Sequence, residues 1–318
     1  MRALPDYVSD KGHGQICYET PLKINDVTSY HFILGTDRDQ LQKFVDDQLN
    51  VVSGGAVRYT ALPFLFHSYL EALHCTSTAE PIGYLWDRES AFLVPVLQHR
   101  TGHLLPELRI WVPYLLIDSP AGMVTGREVW GYRKSFGQMT LPGRPEDSQR
   151  LAAETIIFRK FSPETRGESA TLLEVTRKTR LGDGGSWSGF DQVIAEVLKK
   201  IGGEFGALIE SQFMALLSNL ASPVVVNLKQ IRDARNSAKA CYQALVESPC
   251  HLDRFTSAGW LQGDYELKIT TCDSHRIVTD LGLGSLGPGG STTVPVRFAY
   301  WVKMDFSTLA GNVIWEAP

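Results

Sequence analysis

The chain has 318 residues and a formal net charge of −4, with 43% hydrophobic and 21% charged residues, close to the globular average. That length is enough for a sizeable core in one large domain or two smaller ones. Its basic residues are scattered, with no run interleaved with stacking aromatics, so neither nucleic acid nor an anionic membrane surface is the expected partner.

In chain order, Met1 to Tyr7 is not followed by the apolar core of a signal peptide. No apolar run reaches the roughly 20 residues of a transmembrane helix before Pro, Arg or Gly interrupts it. Cys17, Cys75, Cys241, Cys250 and Cys272 form no CxxC pair and read as reduced thiols, so a cytoplasmic protein is expected. Tyr30 to Leu34 reads as a strand, and Thr36-Asp37-Arg38-Asp39 is a capping-box pattern that predicts a short helix to about Leu49. Leu108 to Val112 alternates in character and then runs apolar through Ile117, as a half-buried and then buried strand does. Thr155 to Phe161 and Ala170 to Val175 read as a hairpin across a polar loop. Val224 to Val226, Tyr265 to Ile269 and Val294 to Val302 add strands. Many strands with short turns favour an antiparallel barrel or cone over a doubly wound sheet.

One region departs from the strand pattern. Ser188-Gly189-Phe190-Asp191 is a second capping-box pattern, and apolar residues then recur at helical spacing from Phe190 to Ile209. The spacing predicts a helical insertion over about 186–221, stopped by Ser222-Pro223 and weakened at Gly202, Gly203 and Gly206. Its apolar stripe is expected to be a core face, with a lid or a subunit contact as the alternatives. Two other patterns read as decoys. Gly282 to Gly287 matches GxGxxG, but Pro288-Gly289-Gly290 follows where a phosphate-binding helix has to begin. His99, His103 and Glu107 have zinc-helix spacing, but Gly102 and Pro106 oppose a helix, and no metal site is expected.

The most informative stretch runs from Gly126 to Gly137, Gly-Arg-Glu-Val-Trp-Gly-Tyr-Arg-Lys-Ser-Phe-Gly, after a largely apolar run from Leu104 to Val124. It holds one lysine, Lys134, among aromatics and glycines. Burial favours the neutral amine and lowers a lysine pKa, and a neutral amine is a nucleophile toward ketones. The alternative is that Lys134 ends an amphipathic strand and reaches water along its stem.

Together with Asp87 to Val96 this stretch resembles the acetoacetate decarboxylase-like family. Family members carry Glu-Ser-x-x-x-x-Pro-Val and, some tens of residues later, Gly-Arg-Glu-x-x-x-Tyr-Pro-Lys-Lys. Glu89, Ser90, Pro95 and Val96 match the first, and Gly126, Arg127, Glu128, Tyr132 and Lys134 match the second. Weaker similarity covers Tyr30 to Tyr59 and Val226 to Glu316. The resemblance implies an α+β, mainly antiparallel fold: one domain over 1–318, a double-layered β-barrel or cone carrying the helical insertion. It also implies a Schiff-base lysine at Lys134 and no cofactor.

The departures imply a changed pocket. Arg133-Lys134-Ser135 replaces Pro-Lys-Lys, so Arg133 stands as the cation beside Lys134. Asn25 to Phe32 lacks the family's arginine, and Thr60 stands where a glutamate follows Val-Arg-Phe. Trp86 and Trp130 are candidate pocket walls, and Thr60 and Arg133 candidate substrate contacts. Arg127 and Glu128 are expected to brace the loop. Glu89 is the candidate proton-transfer group, the alternative being an ion pair with Arg88, Arg127 or Arg133. The expected activity is Schiff-base decarboxylation of a β-keto acid larger and less polar than acetoacetate. An aldolase or aldolase-dehydratase joining a keto acid to an aldehyde, and a non-catalytic ligand-binding barrel, are the alternatives. The expected partners are a small keto acid and further copies of the chain, in a homo-oligomer.

Overall fold

The computed structural model describes residues 4–8, 12–14, 17–80, 82–179, 185–206 and 222–318. Its first strands are β1 (Leu22–Gly35), β2 (Val57–Ala61), β3 (Phe64–Ser77), β4 (Leu85–Arg100) and β5 (Glu107–Ile117). Short strands β6 (Lys134–Phe136) and β7 (Gln138–Thr140) precede the hairpin of β8 (Arg150–Ile157) and β9 (Glu168–Arg177). Then come β10 (Ser186–Trp187), β11 (Val224–Arg232), β12 (Ala240–Trp260) and β13 (Tyr265–Thr270). The last are β14 (Ser291–Pro295), β15 (Phe298–Thr308) and β16 (Asn312–Glu316).

These strands form two sheets. The larger runs β2-β4-β3-β1-β15-β12-β11-β5-β6, and because β5 also pairs with β4 its path closes into a ring. Pairing is antiparallel except where β5 meets β11 and β6. The smaller sheet runs β14-β13-β9-β8-β7. Strand periodicity explains how they pack, since alternate side chains leave opposite faces. Tyr30, Phe32 and Leu34 of β1 share one core with Leu173 and Val175 of β9 and Leu267 and Ile269 of β13. Ile33, between them, points into a second cluster with Phe64 and Val302. The mainly antiparallel architecture expected from the strand pattern is present, and the two sheets fit the double layer that the resemblance implied.

Several elements differ from the reading of the sequence. Helix α1 (Arg38–Val45) continues into a wider turn over Asp46–Asn50, but Asp37 is its cap, accepting from the Asp39 and Gln40 amides. Thr36 instead turns its hydroxyl to the Leu281 carbonyl. The 155–161 strand starts earlier, at Arg150, and stops at Ile157. The apolar run from Val294 to Val302 is two strands in different sheets. Val296 donates to the Tyr265 carbonyl and Arg297 to that of Ile33, so these two residues hand the chain from one sheet to the other. Strand β12 was missed because Pro249 and a mixed polar sequence hide its alternation. Its first half pairs with β11 and its second half with β15.

The insertion helix, α3 (Phe190–Phe205), begins after Gly189 with no side-chain cap, so the Ser188 capping box does not form. It ends at Gly206, whose φ of +68° suits a residue without Cβ. The predicted continuation over 207–221 lies outside the described residues. Val193, Val197, Leu198 and Ile201 pack on Phe64, Trp187 and Ala258, a cluster with no residue in common with those around Lys134. The described part of the insertion is a core face and forms no lid over that lysine. Gly282 to Gly287 is a loop, and the strands and turn holding His99, His103 and Glu107 form no zinc helix. No described helix is long and apolar enough to cross a membrane.

Candidate active site

The chain between β5 and β6 is built to present one side chain. Ser119 caps α2 (Pro120–Thr125), accepting from the Gly122 amide at 3.1 Å, and Pro120 occupies the first helical turn, where no N–H is needed. A wider helical turn over Gly126–Trp130 follows and ends at Gly131, with φ +82°. A Cβ on Gly131 would stand 2.5 Å from the Lys229 Cα on β11. Backbone angle and close approach both therefore demand glycine there. The chain then enters β6, where Lys134 pairs with Leu115 of β5. Arg127 donates to the Lys134 carbonyl at 3.0 Å, bracing the turn.

Lys134 does not reach water. Its side chain is 12% exposed and donates to Oε1 of Glu89 on β4 at 2.6 Å. Gly126 makes room for it, since a Cβ there would lie 2.6 Å from the Lys134 Cε. The Tyr132 ring lies 5.7 Å from the ammonium, and its hydroxyl donates to Ser248 at 3.3 Å. Glu89 is committed to Lys134: Arg88 bonds Glu71 instead, at 2.8 Å, and Arg127 serves the backbone.

The charge state differs from the sequence expectation. Burial is the largest influence on Lys134 and pushes its pKa down, but it is opposed, first and most strongly, by the ion pair and hydrogen bond to Glu89, and the value stands above the ordinary one. The resting group is an ammonium ion. Arg133 supplies no opposing charge. It has no hydrogen bond or ion pair with a described residue, and its electrostatic neighbour is Tyr114. It is correspondingly not among the influences on Lys134: the Lys134 amide donates to the Tyr132 carbonyl at 2.9 Å, a tight turn centred on Arg133 just before β6.

Asp87 was quoted in the motif but given no role. It lies two residues before Glu89, on the same face of β4, with the Ser119 hydroxyl and Cys75 thiol against its carboxyl. Burial, the first cause, raises its pKa, as does Glu89, while Lys134 opposes them. The signal was available in the sequence as an acid at i−2 from Glu89 in a strand.

The remaining candidates are placed elsewhere. Trp86 is 64% exposed and lines neither of the two cavities beside the site. Thr60 pairs with Leu97, eight residues along β4 from Glu89, or about 26 Å at strand spacing. It contacts His99 at 3.3 Å. Trp130 is a core residue, packed with Tyr18, Leu22 and Cys75 and donating to the Leu309 carbonyl at 2.9 Å. Its position beside the site is structural.

A cavity of about 1400 Å³ opens next to the pair. Tyr132, Arg133 and Ser135 form its wall on either side of Lys134, which with Glu89 lies behind the lining. Tyr18, Glu19, Glu128 and Lys229 also line it, together with Val129, Leu228 and Ile231, so its surface mixes charged and apolar groups. A second cavity of about 30 Å³, room for roughly one water, is lined by Arg133, Ser90, Tyr114 and His275. Arg133 and Ser135 border both. Among the described residues no cluster of three His, Cys, Asp or Glu could hold a metal ion.

No protein-family model matches the chain, and no curated protein matches it in sequence. Solved structures do. Acetoacetate decarboxylase from Legionella pneumophila aligns over 99% of this chain and 93% of its own, with a TM-score of 0.57 and 15% identity. The chain has the acetoacetate decarboxylase-like fold. An acetoacetate decarboxylase-like enzyme from Sphingomonas wittichii RW1 aligns over 97% of this chain and 98% of its own, with a TM-score of 0.57 at 10% identity. The enduracididine biosynthesis enzyme MppR, complexed with the condensation product of pyruvate and imidazole 4-carboxaldehyde, aligns over 96% and 94%, with a TM-score of 0.54 at 11% identity.

Proposed function

We propose that the chain is an imine-forming enzyme acting on a keto acid, with Lys134 as nucleophile and Glu89 as the group that takes and returns its proton. The observation that carries this reading is the 2.6 Å contact between them, largely withdrawn from water, on an acetoacetate decarboxylase-like fold. The Glu89 carboxylate accepts a proton from the ammonium, and the freed amine attacks the ketone. Protonated Glu89 then returns the proton to the departing hydroxyl, and water leaves. The product is an iminium cation that stands opposite the Glu89 carboxylate as the ammonium did. The carboxylate that holds Lys134 charged, at a cost of about tenfold in free amine per pKa unit, therefore also stabilises the cation that drives the chemistry.

In a β-keto acid the electron pair of the bond to the carboxylate flows into the iminium, releasing carbon dioxide and leaving an enamine. Protonation of the enamine carbon and hydrolysis of the imine complete the cycle. This decarboxylation is the first reading. Arg133, uncommitted to any described carboxylate and bordering both cavities, is the residue suited to an acidic substrate. The cavity volume supports a substrate larger than acetoacetate. Its lining mixes charged and apolar groups, and Thr60, Trp86, Trp130 and the described part of α3 contribute none of the apolar surface.

The second reading is aldol condensation, in which the iminium loses an α-proton and the enamine attacks an aldehyde. Two carboxyl groups beside the amine favour it, since it needs more proton transfers. Product analysis separates the readings: Lys134-dependent carbon dioxide from β-keto acids supports the first. An absorbing unsaturated keto acid from pyruvate plus an aldehyde, without carbon dioxide, supports the second.

A further inference from the structure

One ammonium and two carboxyl groups share the site. Glu89 takes the ion pair. Asp87 is 8% exposed, and its Oδ1 is buried with no hydrogen-bond partner. It is held in place by glycine, since a Cβ on Gly122 would stand 2.9 Å from Oδ2. Strand spacing puts it roughly 7 Å along β4 from Glu89. A second buried negative charge without a partner is costly, and two carboxyl groups beside one cation do not both ionise readily.

We propose that Asp87 is a positioning residue for the proton of Lys134: it stays neutral in the resting site, so that lysine, Glu89 and Asp87 share two protons and the ammonium can pass one to Glu89 with no net charge created. The inference rests on Lys134 being the imine-forming amine. With Asp87 neutral, the resting arrangement is ammonium, carboxylate and carboxylic acid. Transfer from Nζ to Oε1 gives amine and two carboxylic acids, and the total charge is zero before and after. Ionised Asp87 changes the balance, because it interacts more strongly with Lys134 than with Glu89. It would hold the proton on the lysine and suppress the nucleophile.

The groups facing Asp87 are Tyr18, Cys75, Glu89, Asp118, Ser119 and Lys134. Tyr18 and the Cys75 thiol are themselves driven to the neutral form by burial, so they add no charge at moderate pH. Burial raises the pKa of Asp87, so the neutral acid persists above the ordinary carboxylate range and is lost as pH rises through the folded value. Imine formation then falls with pH over that window, whereas a simple lysine gains reactivity as pH rises.

The test is the initial rate of cyanoborohydride trapping of pyruvate on Lys134, against pH, in wild type and Asp87→Asn. The wild-type rate is expected to fall about tenfold as Asp87 ionises, the size of change a unit charge several Å away imposes on a proton-transfer equilibrium. The amide cannot ionise, so the ratio of variant to wild-type rate should rise about tenfold across the same window. If the variant does not fold, the wild-type descent carries the test alone. A wild-type rate that only rises with pH, or a descent that Asp87→Asn retains, overturns the role of Asp87 and leaves Lys134 as the nucleophile. No adduct on Lys134 at any pH overturns both.

Discussion

Two buried ion clusters in this molecule differ in charge balance. Around Glu247, on β12, two arginines meet two carboxylates: Arg109 Nε and Arg100 Nη2 each donate to Glu247 at 2.7 Å, Gln98 adds a bond at 3.0 Å, and Arg109 also pairs with Glu107 at 2.6 Å. Burial alone would raise the Glu247 pKa, but these partners outweigh it and hold it below the ordinary range. Around Lys134 two carboxyl groups meet one amine, and one oxygen of Asp87 has no partner. The first cluster is saturated and its protons are fixed, as expected of a structural joint between β4, β5 and β12. The second is under-compensated, so a proton can move within it at small cost. On the proposed function, the two clusters divide into framework and reactive groups according to how fully their charges are satisfied.

The largest effect that sharpens this contrast is loss of the amine. Lys134→Ala should abolish keto-acid trapping while leaving the thermal transition within a few degrees of wild type. Next, Arg109→Leu leaves the Glu247 carboxylate with only Arg100 and Gln98 and should destabilise the fold by up to about 3 kcal/mol, read by denaturant unfolding. The trapping rate per folded molecule should stay unchanged. If Arg109→Leu instead altered trapping, the separation of the clusters would fail. Gly126→Ala forces a methyl into the Lys134 stem, 2.6 Å from Cε. It should lower trapping by roughly ten- to a hundredfold, with a stability loss of about 1–3 kcal/mol.

The clusters should also divide the pH dependence of stability. Glu247, with a depressed pKa, contributes stability that is present above its unfolded value and lost as pH falls through the folded one. Asp87, with a raised pKa, contributes stability present below its unfolded value and lost as pH rises through the folded one. Glu247→Gln should flatten the acid limb of unfolding free energy against pH, and Asp87→Asn the limb on the rising side. The slope removed is at most about 1.4 kcal/mol per pH unit for each group. The smallest effects belong to residues placed away from both clusters. Thr60→Val and Trp86→Ala should change trapping by no more than about twofold and stability by about 0.5 kcal/mol.

Much of this was legible in the sequence, for reasons that particular residues make clear. The strands β1, β5 and β9 announce themselves by period-2 or continuous apolar runs. Lys134 and Glu89 stand out because their motifs are local. What did not show was anything set by register or by strand face. Thr60 lies near Glu89 only in the order of motifs, and the pairing with Leu97 carries it to the far end of β4. Arg133 adjoins Lys134 in sequence but sits in the tight turn before β6, with Tyr114 as its electrostatic neighbour. Asp87 shares the face of Glu89, and the pairing that brings Glu89 to the lysine reverses the expected direction of its pKa. Burial was inferred correctly, but the number of carboxylates brought to it depends on pairings that no linear pattern contains. The run from Val294 to Val302 was misread for a similar reason, since only the partners of Val296 and Arg297 reveal that the chain changes sheets.

The central claim is that Lys134, paired with Glu89, forms an imine with a keto acid. The direct measurement is mass spectrometry of the protein after incubation with pyruvate or acetoacetate and borohydride, followed by peptide mapping. The account predicts a reduced adduct on the peptide containing Lys134, absent in Lys134→Ala and strongly diminished in Glu89→Gln. An adduct on another lysine, or none across a broad panel of keto acids, would contradict it and leave a ligand-binding protein on the same fold.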